Sequence, residues 1–361
     1  MIAGAMNKRI RTLIAVLPWA TAGLLAALVV LLAVLFPSGS LAGELDNRLT
    51  SHNTEGQDPT QVHFMVFVLD IDQIDGAVQS FNANVYVQLR WKDERLLHSE
   101  TSARTVPLQD VWNPRIVVAN QQGIIRKSLP DFVEVKSDGT VIYRQRYVGA
   151  FSQPLNLSDF PMDQHQFQIQ FVAVGYVAEQ LEFVPDIVQG MNGGGISSSS
   201  QLSLPDWDIV QYKSLARPYE PFPQMRAAGF AFEFEAKRHF LYYFWQMMVP
   251  LAVVVAMSWA AFWIDPKLAG SQISVATSSI LTLIAYRFVV RGLLPRLPYM
   301  TRMDYFLLAS TLLVFIALIE VILTTFLAHN DRGELARKID RACRLAFPAV
   351  FLVVSAWSIF G

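Results

Sequence analysis

The chain has 361 residues, 53% of them hydrophobic, with a mean hydropathy of +0.32. That is too apolar for an ordinary soluble protein and long enough for about two domains. The net charge of −1 hides a division, since residues 44–236 carry 24 acidic and 14 basic side chains while residues 237–361 carry 6 and 12. No basic patch suited to nucleic acid is present, and no nucleophile elbow, P-loop or zinc-ligand spacing, so the composition indicates neither an enzyme nor a cofactor.

In chain order, the first segment is basic at Lys8, Arg9 and Arg11, apolar from Leu13 to Phe36, and small-residue-rich from Ser38 to Gly43. Residues 1–43 read as a secretory signal, with an uncleaved anchor as the alternative. Residues 44–238 then form an exported domain whose apolar residues recur with period two. Phe81, Ala83, Val85, Val87, Leu89 and Trp91 alternate with polar positions, as do Phe167, Ile169 and Phe171, and Phe230, Phe232 and Phe234. Such alternation predicts strands with one buried face, and Asp138-Gly139 marks a hairpin. The expected architecture is a β-sandwich, with residues 189–200 a flexible loop. The lone cysteine is Cys343, so this domain holds no disulfide.

Four membrane-spanning helices are predicted at 240–264, 270–290, 305–328 and 339–360, the last extended through an amphipathic start. Arg332, Arg337, Lys338, Arg341 and Arg344 place the loop before the fourth helix on the cytoplasmic side, and residues 44–238 outside. The second span is threaded with hydroxyls. Ser274, Ser278, Leu281, Ala285 and Phe288 follow steps of four, three, four and three, which stacks them on one helical face. Such a stripe suits a water-filled path, with hydroxyls to solvate an ion and bulky apolar rings to close it. Close helix–helix packing also favours Ser, Thr and Ala. Glu320 lies inside the third span, where an acid is expensive, and His239 sits at the membrane boundary. Both are candidate pH-sensing groups.

Six segments then fall in a familiar order. They are Trp91-Lys92-Asp93-Glu94-Arg95-Leu96, Trp112-Asn113-Pro114-Arg115-Ile116, and Phe160-Pro161-Met162-Asp163. The others are Arg238 with Tyr242, Tyr243, Pro250, Ser258 and Trp259, then Leu294 to Tyr299, then Arg344 to Pro348. Together they resemble the pentameric ligand-gated ion channels, the Cys-loop receptor superfamily, over about residue 60 to the end. Gln153 and Phe167 stand where animal members place the bridging cysteines, which is similar to prokaryotic members.

The resemblance implies an immunoglobulin-like extracellular sandwich followed by a four-helix membrane bundle, assembled as a homopentamer in a bacterial inner membrane. It also implies contact with membrane lipids, permeant ions and an agonist, either a small molecule or the proton. Ser274, Ser278, Leu281, Ala285 and Phe288 would line the pore, with Leu281 as the central girdle. Tyr86, Arg115, Tyr176, Tyr219 and Phe222 would line an agonist site between subunits. Asp163, Arg238, Pro298 and Tyr299 would couple that site to the pore. The acidic exterior favours cations, against Arg287 and Arg291 near the outer mouth. An anion-selective channel and a non-conducting ligand sensor of the same fold are the competing readings.

Overall fold

The computed structural model describes residues 47–52, 58–188, 190–291 and 297–360. The predicted signal segment and part of the Leu294–Tyr299 link lie outside the described residues. Fifteen strands follow in order: β1 (Thr60–Asp75), β2 (Ser80–Lys92), β3 (Arg104–Pro107), β4 (Ile116–Val118), β5 (Gln121–Lys127), β6 (Phe132–Val135), β7 (Thr140–Ser152), β8 (Gln164–Val177), β9 (Leu181–Pro185), β10 (Ile187–Val188), β11 (Met191–Asn192), β12 (Gly194–Ile196), β13 (Trp207–Ala216), β14 (Tyr219–Phe222) and β15 (Met225–Arg238). One sheet runs β12-β1-β2-β7-β6-β3, with β5 on β7 and β9 on β1. The other runs β13-β15-β8-β4, with β14 on β15.

The two sheets close over the alternating apolar residues. Phe81, Val85, Val87 and Leu89 of β2, Phe167, Ile169 and Phe171 of β8, and Phe230, Phe232 and Phe234 of β15 are all buried. Rings pack across the sheets, with Phe64 stacked on Phe230 at 4.5 Å between centroids. Packed aromatic pairs of this kind add to simple area burial. Pairing of β2 with β7 runs from Ser80↔Ser152 to Lys92↔Thr140 without a shift, which fixes the buried face of both strands.

Two expectations are corrected. Period two assigns Glu233 to the solvent face of β15, yet it is only 3% exposed. Arg217 at 2.5 Å and Lys213 at 3.1 Å lie over its carboxylate, so their stems cover the outer sheet face. Within the predicted 189–200 loop, residues 190–200 are also more ordered than their composition suggests, because Gly194–Ile196 adds to β1 as a parallel strand. Gly194 has φ +128°, and a Cβ there would lie 1.7 Å from the Val66 carbonyl oxygen, so only glycine permits the approach.

Four helices follow the sandwich. The first, α1 (Phe240–Trp263), contains a π-helical stretch over Phe244–Met248 and a 3-10 turn over Ala260–Trp263. Pro250 follows the π stretch and lacks the backbone donor that a regular helix needs there. The others are α2 (Ala269–Arg291), α3 (Arg302–His329) and α4 (Gly333–Phe360). Among the described residues, α1, α2 and α3 are long and apolar enough to cross a membrane. Helix α4 starts at Gly333, six residues before the expected position, because its first turns are polar and hydropathy registers only the apolar remainder.

Candidate functional site: the domain junction and the α2 face

The junction is built where β8 and β15 end together. Lys237 pairs with Gln164, which places Arg238 opposite Asp163. The Arg238 guanidinium donates to both carboxylate oxygens of Asp163, Nε at 2.8 Å and Nη2 at 3.0 Å. Nη1 donates to the Tyr243 hydroxyl at 3.2 Å, and His165 Nε2 lies 2.8 Å from the second carboxylate oxygen. The guanidinium also sits over Trp207 at 4.1 Å and Phe160 at 4.9 Å from the ring centroids. This is a buried, bidentate pair with its spare donors satisfied, the geometry in which such a pair holds.

Burial alone would raise the Asp163 carboxyl. Hydrogen bonds from His165 and Arg238, with the Arg238 charge, outweigh it and hold the carboxyl below the usual aspartate range. A depressed folded-state value means that the pair's stabilisation is present above the unfolded value of about 4. It is lost only as pH falls through the lower folded value. Mild acid therefore leaves the pair ionised, and any response to mild acid must originate elsewhere.

The loop carrying Asp163 also meets α3. Its first backbone N–H groups have no partner within the helix. Arg302 N–H donates to the Ser158 carbonyl at 3.0 Å and Met303 N–H to the Phe160 carbonyl at 3.2 Å. Thr301 and Asp304 form a capping box, and Arg302 Nε reaches Asp159 at 2.8 Å. Just before the helix, the Tyr299 hydroxyl accepts from the Leu157 N–H at 2.9 Å. The α2–α3 link is thus fastened to the loop beside the Asp163–Arg238 pair. Tyr299→Phe leaves the Leu157 N–H without that acceptor, at a cost of about 1–3 kcal/mol. A thermal midpoint of the detergent-solubilised protein equal to wild type would exclude this role.

Helix α2 has two opposite faces. Gln272, Ala276, Ser279, Leu283 and Val290 are buried against the rest of the chain. Tyr286, on the same side, donates its hydroxyl to the Met247 carbonyl in the π stretch of α1 at 2.5 Å. Ser274, Ser278 and Ala285 are exposed, Leu281 is 68% exposed and Phe288 70% exposed. Within one chain the hydroxyl stripe therefore packs on nothing, and the packing hydroxyl is Ser279.

The agonist-site candidates are not brought together within one chain. Tyr86 stands on β2, while Tyr219 and Phe222 stand on β14 in the other sheet, with Phe222 exposed. Tyr176 is half-buried, and its hydroxyl accepts from the Trp112 indole N–H at 2.9 Å. Arg115 has φ +47°, in a turn where Asn113 Oδ1 accepts its N–H at 3.1 Å. It lines a cavity of about 60 Å³ with Lys127, Tyr143 and Tyr147. His239 Nε2 lies 3.1 Å from Asp208. Glu320 is buried on α3 and faces Asp340 of α4, a partner that sequence reasoning missed because Asp340 sits in a basic, amphipathic stretch. Arg302, Asp159 and Trp207 were likewise not singled out, although the Thr301–Asp304 capping-box spacing signals the start of α3.

A β-sandwich fastened through a buried ion pair to a bundle of apolar helices defines a membrane receptor of the ligand-gated channel class. Residues 40–240 match the neurotransmitter-gated ion-channel ligand binding domain, and residues 247–335 the neurotransmitter-gated ion-channel transmembrane region. The chain belongs to this family of ligand-gated ion channels, which are not enzymes. It is 25% identical over 312 residues, covering 84% of each chain, to a protein described as a proton-gated ion channel from Gloeobacter violaceus (strain ATCC 29082 / PCC 7421).

Proposed function

We propose that five copies form a proton-modulated, cation-selective channel in a bacterial inner membrane, with α2 lining the pore and α4 as a fourth span. The supporting observation is the α2 face itself, where Ser274, Ser278, Leu281, Ala285 and Phe288 are left open while the opposite face is buried. Around a five-fold axis these residues make two hydroxyl rings towards the cytoplasmic end, a leucine girdle at the centre and a phenylalanine ring outside. Water is unstable in the apolar rings unless the helices tilt apart. The exterior domain's surplus of acidic side chains concentrates cations at the mouth. Tyr86 of one subunit would face Tyr219 and Phe222 of the next across the subunit boundary, with Arg115 and Tyr176 nearby, as a site for an organic agonist or modulator.

Asp163, Arg238, Pro298 and Tyr299 would carry motion from the sandwich to α2. His239 and Glu320 are the groups assigned to the proton response. Recording from the purified protein in planar bilayers tests the reading. Acidification should open currents whose reversal potential, under a potassium chloride gradient, follows potassium. A reversal that follows chloride makes the channel anion-selective. Silence across pH and candidate amines leaves a non-conducting sensor.

A further inference from the structure

We propose that Glu320 and Asp340 are a proton-sharing carboxyl pair that locks α4 onto α3, which rests on the reading of Glu320 as a titrating group and goes beyond its response to acid. Glu320 is 7% exposed and Asp340 1% exposed. Their side chains face each other across the α3–α4 contact. No donor in bonding geometry reaches any of the four carboxyl oxygens among the described residues.

The surrounding groups explain why. The Thr324 hydroxyl lies beside Asp340, but it donates to the backbone carbonyls of Glu320 at 3.1 Å and Val321 at 3.2 Å. Cys343 lies beside Glu320, but a thiol is a weak donor. Arg344 is the cation on α4 whose charge reaches Asp340. Its Nε is held by the Phe262 carbonyl at 3.0 Å and its guanidinium lies over Trp263 at 5.4 Å. From α2, the Gln272 amide donates to the carbonyls of Ala261 and Ile264. Asp265, after α1, adds negative charge and is 3.9 Å from Arg337. Ala317 and Val321, on the same helix as Glu320, belong to a buried apolar cluster with Phe262 and with Phe347 of α4.

Two ionised carboxylates pressed together in such surroundings repel, and each loses its hydration, a penalty of several kcal/mol per ion. One proton removes the conflict. It makes one carboxyl an O–H donor to the other, giving a short charge-assisted hydrogen bond between the helices. The donor missing from the surrounding side chains is supplied by the pair itself. Loss of that proton at alkaline pH would leave two charges in the α3–α4 interface and loosen α4.

Infrared spectroscopy of the full-length protein in detergent reads this proton directly, whether or not acid opens the channel. Wild type at neutral pH should show a protonated-carboxyl C=O band that shifts in heavy water. Glu320→Gln/Asp340→Asn should lose it. Asp340→Asn alone should lose it as well, because the amide supplies the missing donor and leaves Glu320 ionised. An alkaline jump on wild type alone should remove the same band, so the test survives a variant that fails to fold. Spectra identical in wild type and a correctly assembled double variant would overturn the pair. Absence of acid-activated current with the band intact would overturn only the proton-response reading.

Discussion

Asp163→Asn is expected to lower the thermal midpoint of the assembled protein and to abolish or strongly right-shift its activation. Asparagine keeps the shape of the side chain but leaves the Arg238 guanidinium buried without a counter-charge. Removing one partner of such a pair costs about 3–5 kcal/mol. Contacts of Arg238 with Trp207 and Phe160 cushion part of that loss, since cation–π contacts contribute up to about 2 kcal/mol when desolvated. The matched control is Glu220→Gln. Its ion pair with Arg226, at 3.0 Å, has both side chains more than half exposed. Exposed pairs contribute about 0–1 kcal/mol. Equal effects of the two substitutions would show that the junction pair neither stabilises nor couples.

Leu281→Ser should open the channel at a much weaker stimulus. In the proposed pentamer, if each of five leucines loses about 0.5 kcal/mol of closed-state contact, less than one buried methylene contributes, the ring loses about 2.5 kcal/mol. That corresponds to a shift of about sixtyfold in the opening equilibrium. Leu283, two residues away, faces the bundle interior and is buried. Leu283→Ala should therefore act on stability, by about 2–5 kcal/mol, and leave the activation threshold close to wild type. The dose–response curve separates these outcomes. A Leu281→Ser channel needing the wild-type stimulus places the barrier elsewhere on α2.

The two faces of α2 show why some of the site was legible beforehand. Helical spacing alone put Ser274, Ser278, Leu281, Ala285 and Phe288 on one face, because 3.6 residues per turn is a local property of the backbone. It did not say which face is buried. Ser279 carries the same hydroxyl as Ser278 yet packs inside, and that difference arises from α1 and α3 closing on one side only. In the same way, alternation identified the buried residues of β2, β8 and β15, but Glu233 followed the pattern and was still covered, by Lys213 of the neighbouring strand and Arg217 just beyond its end.

Sequence by itself determined the elements and their faces, since strand and helix periodicity, apolar span length and turn chemistry act between near neighbours in the chain. The family resemblance of its motifs also pointed to Asp163 and Arg238 as coupling residues. Tertiary structure alone decided which distant groups meet. The register of β8 against β15 sets the bidentate geometry of that pair. The docking of α3 brings Tyr299 and Arg302 onto the Leu157–Phe160 loop, and the packing of α4 seals Asp340 against Glu320. These contacts join residues far apart in sequence, and their energies depend on burial and on hydrogen-bond partners fixed only once the helices and sheets have packed.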